Sequence, residues 1–248
     1  ALFTSEDQSR AAGWRRAQAL QWGASSPMAG VAYLARYALR LGLNPGEIPS
    51  LRNAILRLRP YRGGPRDETW ASLLGRLKAG IADDTSEEQS GIDSGESGGE
   101  CSDSSPDTHV VDLLACIEEG AALIAADAFR AKLDHLVDLL DKHHKIVVFA
   151  QPVETVWAIK DRLQEHMGAG SLSIIVGGQS NEERQEEIRR FRDPLGSRAL
   201  VSSRSGGEGI NLQVCNALVH FDVPWNPMDM EQRVGRVHRY GSIDTSHV

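Results

Sequence analysis

From residue 145 onward the apolar positions fall into short runs separated by amphipathic stretches. KIVVFA (145–150), SLSIIV (171–176), RALVSS (198–203) and NALVHFD (216–222) have the length and composition of buried parallel strands. Between and after them, residues 153–167, 181–193 and 227–239 read as helices, the second capped by Ser180. Strands alternating with helices of this length predict an α/β domain with a parallel sheet. Ligands of such sheets sit in the loops at the carboxyl ends of the strands. Ahead of this block, residues 109–144 are helical throughout, as one long helix or two.

Residues 1–80 also predict helices. In SSPMAGVAYLARYALRLG, Ser25 or Ser26 serves as a cap, Pro27 opens the helix and Gly42 ends it. Val31, Leu34, Ala35, Ala38, Leu39 and Leu41 form its apolar stripe. Shorter helices are expected at 50–59 and 67–79. Residues 81–108 are almost purely acidic, Ser and Gly, too poor in apolar area to offset the entropy of ordering. They read as a flexible acidic linker, with an interaction tail for a basic partner as the other reading.

Charge sharpens this division. The chain has 248 residues and a formal net charge of −7, but residues 1–80 carry +7, residues 81–127 carry −13 and the remainder −1. The basic block is either a solvated helix surface or a face for nucleic acid. No window is long and apolar enough for a membrane span, and ALFTSEDQSR has no signal-peptide pattern. Three dispersed cysteines, Cys101, Cys116 and Cys215, suit a reducing, cytoplasmic setting and exclude a zinc knuckle legible from spacing.

Chemistry collects in the four carboxyl-end loops. They hold Gln151-Pro152, Gly177-Gly178-Gln179-Ser180, Arg204 to Asn211 with three glycines, and Pro224-Trp225-Asn226-Pro227. Glycine there lets backbone amides approach an anion closely. The last helix, EQRVGRVHRYG, spaces Arg233, Arg236 and Arg239 three apart on one face. Such a face is either solvated, paired to Glu231 or Asp229, or aimed at phosphate. Trp225 either stacks on a base or packs as an indole. His143-His144 suits a helix end, His220 a core position, and Cys215 an inert buried thiol.

In order, KIVVFAQ, IIVGGQSNEERQEEIRRF, LVSSRSGGEGINLQ, VHFDVPWNP and EQRVGRVHRYG resemble the second RecA-like lobe of superfamily 2 helicases. The resemblance is strongest to Swi/Snf-type ATPases, in the bacterial branch that includes the RNA polymerase-associated ATPase, and covers residues 130–242. It implies a RecA-like parallel sheet sandwiched by helices at 109–248, incomplete at its C-terminal end. It implies that Arg236 and Arg239 act as arginine fingers on the γ-phosphate of ATP. It places Gln232, Gly207, Gly209 and Asn211 at the nucleotide, and Gln151, Gly178 and Ser203 on the nucleic-acid backbone. Glu208 departs from the small or apolar residue common at its place.

The same resemblance implies ATP and Mg2+ as cofactors, held mainly by a first lobe. No GK[ST] loop occurs, and Asp67-Glu68 does not follow a strand, so that lobe is expected elsewhere, on the same polypeptide or another. The expected function is the C-terminal motor lobe of an ATP-dependent nucleic acid translocase or remodeller, inactive alone. Its expected track is double-stranded DNA, or RNA, and its expected partner RNA polymerase or another DNA-bound complex. The rival expectation is a RecA-like binding module without turnover.

Overall fold

The computed structural model describes residues 9–65, 67–80, 106–203, 212, 215, 217–224 and 227–237. They form two compact units that divide between Ala128 and Phe129.

The first unit is helical: α1 (Ser9–Ser25), α2 (Pro27–Arg40), α3 (Pro49–Arg57), α4 (70–80) and α5 (Pro106–Ala125). Ser26 caps α2, its hydroxyl accepting from Ala29 N–H at 3.1 Å, with Pro27 at the first helical position. Gly42 stops the chain with φ +82°, a conformation only glycine takes cheaply. Val31, Ala35 and Ala38 of the predicted stripe are buried, whereas Leu41 is half exposed. The α2 and α5 helices approach closely at Gly120, where a Cβ would sit 2.5 Å from Val31 Cγ2. Leu113 and Ile117 of α5 join Leu51, Ala54 and Ile55 of α3 in the buried core.

This placement of α5 moves two expected boundaries. Residues 106–108, assigned from sequence to the acidic linker, begin α5, and the rest of that linker lies outside the described residues. Residues 109–128 go with the first unit rather than with the α/β domain, because the apolar stripe of α5 packs on α2 and α3. The single-or-double helix question resolves as two, α5 and α6 (Arg130–Lys142), parted at Asp127, whose φ is +51°.

The second unit continues through β1 (Ile146–Phe149), α7 (Val153–Met167), β2 (Leu172–Ile175), α8 (Asn181–Arg192), β3 (Ala199–Ser202), β4 (Leu218–His220) and α9 (Pro227–Val237). All described pairings are parallel, in the order β2-β3-β1-β4. Register brings Ile175, Ser202, Phe149 and His220 into one row at the carboxyl edge. Every residue of β1 and β3 is buried, as an interior strand of a covered parallel sheet requires. On α6 and α7, Arg162 Nε donates to Asp134 Oδ1 at 2.7 Å, and that hydrogen bond draws the Asp134 carboxyl below its usual range.

At the opposite edge of the sheet stands Lys145, buried, with its three ammonium protons donated to the carbonyls of Phe191 (2.6 Å), Asp193 (2.8 Å) and Ser197 (2.8 Å). One cation thereby closes the end of α8 onto the start of β1. Its pKa is lowered by burial, with Asp193 opposing that shift. Beneath it, Cys215 is buried with its thiol between the Lys145 and Ala217 carbonyls, and burial pushes the thiol pKa up. Such a thiol is unreactive.

Candidate functional site

The carboxyl edge is organised by Asp222, in the turn after β4. Its Oδ2 accepts the backbone N–H of Gln151 at 2.7 Å, and its carbonyl accepts from Arg233 Nη1 at 3.3 Å. The turn after β1, the turn after β4 and helix α9 are therefore joined through one residue. Lys132, from α6, lies with Nζ 4.3 Å from the centre of the Phe221 ring. Burial lowers its pKa while Asp222 raises it.

Arg233 is buried, with its guanidinium 5.4 Å from the centre of the Phe149 ring. Of the three arginines spaced along this helix, the first therefore points into the lobe, where neither a solvated face nor a pairing with Glu231 or Asp229 had placed it. A guanidinium tolerates burial when carbonyls and an aromatic face replace its water. Its role is to dock α9 onto the carboxyl edge. His220 stands beside it, and both shielded ring nitrogens lack a hydrogen-bond partner among the described residues. Burial, and then the charge of Arg233, hold His220 below the usual histidine pKa.

Of the residues expected to bind nucleic acid, Gln151 is half-buried and held by Asp222. Gly178 lies in a tight turn with φ +84°, and among the described residues no atom beyond its chain neighbours comes within 4 Å of where its Cβ would stand. Ser203 is the third residue expected on the nucleic-acid backbone. It is only 4% exposed, and its N–H donates to Ile175 O at 2.9 Å, extending the β2–β3 ladder.

Of the residues expected at the nucleotide, Gln232 is exposed on α9. Arg236 is in α9, one turn beyond the docked Arg233; its side chain is outside the described residues. Gly207, Gly209, Asn211 and Arg239 lie outside them too, as do Glu208 and Trp225. Among the described residues no group of three or more His, Cys, Asp or Glu could hold a metal ion, so no ligand set for Mg2+ is found there. Sequence reasoning missed Asp222 and the docking role of Arg233. The available signal for Asp222 was an acid ending an apolar strand, directly at the carboxyl edge.

A family described as the helicase conserved C-terminal domain matches residues 131–241. Those residues are similar to a helicase C-terminal domain. The match falls on the blocks that carry the resemblance to a helicase second lobe, and two curated relatives align over about the same share of the chain. "Uncharacterized ATP-dependent helicase YqhH" of Bacillus subtilis (strain 168) is 34% identical over 120 residues, 48% of this chain and 21% of that protein. "RNA polymerase-associated protein RapA" of Pseudomonas putida is 35% identical over 120 residues, 47% of this chain and 13% of that protein. The chain therefore spans about a fifth or less of these relatives. Among solved structures, the C-terminal part of the Fun30 ATPase domain aligns at 27% identity and a TM-score of 0.41, over 46% of this chain and 38% of that one. The residues matched by the family lie within the second unit. Among the described residues no helix is long and apolar enough to cross a membrane.

Proposed function

We propose that this chain supplies the second RecA-like lobe of an ATP-dependent translocase or remodeller acting on duplex nucleic acid, DNA in the first instance. ATP and Mg2+ would be held mainly by a first lobe, on the same polypeptide or on another. Arg236 and Arg239 would then neutralise charge developing on the transferred phosphate, as arginine fingers do. Gln232, Gly207, Gly209 and Asn211 would line the nucleotide side, and Gln151 and Gly178 would meet the nucleic-acid backbone. Contacts to the backbone alone would make binding largely independent of sequence and sensitive to salt. A DNA-bound complex such as RNA polymerase is the partner class, and the cytoplasm the setting, that this reading favours.

The observation that carries it is the Asp222 joint. One residue holds the Gln151 loop through its carboxylate and docks the arginine-bearing helix through its carbonyl and Arg233. Movement of the nucleotide-side helix and of the backbone-side loop is thereby mechanically linked, which is what a motor lobe requires and a passive binding module does not.

The test is DNA-stimulated ATPase activity in a protein carrying both lobes, with Arg236→Ala and Arg239→Ala combined. Turnover should fall by about 10³-fold or more while nucleotide binding persists. The 248-residue chain alone should show no turnover. Undiminished activity in the double variant, or robust turnover by the chain alone, refutes the assignment.

A further inference from the structure

We propose that Gln179 is a positioning residue for the nucleic-acid contact at Gly178, an inference that rests on the function proposed above. The argument begins at β2, the outer strand of the described sheet. Its odd-numbered residues face β3: Arg198 N–H donates to Ser171 O, and Ser203 N–H to Ile175 O. Its even-numbered residues face outward, and side chains meet them. Arg190 Nη2 donates to Leu172 O at 3.4 Å, and Glu187 Oε2 accepts from Ile174 N–H at 3.1 Å. Gln179 then spans the last two positions: its Nε2 donates to Ile174 O at 3.2 Å and its Oε1 accepts from Val176 N–H at 2.9 Å.

The Gln179 carboxamide thus imitates a peptide group of a neighbouring strand. It also pins the far end of the turn that contains Gly177 and Gly178. On the other side, Ser180 is fixed by a reciprocal pair, Ser180 N–H to Glu183 Oε2 at 2.8 Å and Glu183 N–H to Ser180 Oγ at 3.2 Å. Two successive glycines, the most permissive residues of the chain, thus lie between two clamps. Among the described residues nothing beyond its chain neighbours crowds the Cβ position of Gly178, which leaves room for a polyanion backbone. Gln179 itself points back along the strand. Its contribution is to order the glycines before the ligand arrives, so that binding does not bear that entropy.

The test uses the 248-residue chain and a labelled DNA duplex at fixed salt, with a thermal melt of each variant. Gln179→Met keeps the length and removes both hydrogen bonds. It should weaken duplex binding roughly tenfold with little change in melting temperature. Gly177→Pro added to that variant should restore binding. Proline is favoured at the first central position of a turn whose second central residue has positive φ, and it restores order by a different route. Binding equal to the parent in Gln179→Met overturns the proposal; so does weakened binding that Gly177→Pro leaves unrestored, since Gln179 would then act by contact. Gln179→Ala answers the first question if the methionine variant does not fold. No duplex binding by the parent chain takes down the nucleic-acid reading itself, and this inference with it.

Discussion

At the scale of single residues, the charged groups this lobe buries are the ones that hold it together. Lys145 saturates three carbonyls that are 46 to 52 residues away along the chain. Replacing it with methionine should cost about 2–4 kcal/mol of unfolding free energy, because the carbonyls lose a charged donor that water cannot easily replace. Denaturant titration of the parent and variant measures this. Nothing in the sequence marks Lys145 out: a lysine ahead of a strand reads as solvated, and its partners are remote. His220 makes the complementary case. Burial and Arg233 depress its pKa, so the folded state binds this proton less readily than the unfolded one. Its contribution to stability is therefore complete above the ordinary histidine value of about 6.5 and is lost as pH falls below that value. In His220→Leu, stability should decline less steeply than in the parent over that acidic window, as read from melts across pH.

At the scale of elements, the sequence was most legible where punctuation is local. Pro152 and Gly168 bracket α7 at the predicted residues, and the Ser180–Glu183 capping box starts α8 where the pattern placed it. Ser180→Ala should cost the second unit about 1 kcal/mol, measurable in the same titration. The strands were legible as apolar runs, each trimmed by a residue or more because the run outlasts the ladder. Their order was not, since β2-β3-β1-β4 is set by crossovers that periodicity does not encode. The burial of Arg233 was not legible for a related reason. An arginine every third residue looks like a solvated stripe, and contacts remote in sequence, the Phe149 ring and the Asp222 carbonyl among them, make Arg233 an interior residue. Asp222→Ala should release the Gln151 loop while leaving that carbonyl in place. DNA-stimulated turnover should then fall more than the melting temperature of the lobe suggests.

At the scale of the whole molecule, the charge blocks predicted three segments; the acidic middle one lies mostly outside the described residues, and the described ones divide at Ala128–Phe129. The apolar stripe of α5 was visible in the sequence, but a stripe does not say which partner it covers. Each unit has its own buried core, built on alanines and leucines in the first and on the sheet in the second. A chain beginning at Phe129 should accordingly unfold in a single cooperative transition, checked by calorimetry, and Lys145→Met should lower that transition.

The capped margin of β2 has a consequence for how this protein behaves in concentrated solution. A bare strand margin is a template on which another chain can grow, and growth of that kind leads toward fibrils. Here Arg190, Glu187 and Gln179 occupy the template in advance, and two of the three are charged. The same three side chains that order a loop for its ligand should thus also set the shelf life of the lobe. Replacing Glu187 and Arg190 together with alanine should shorten the lag before turbidity and thioflavin fluorescence rise, well before any change in the melting curve gives warning.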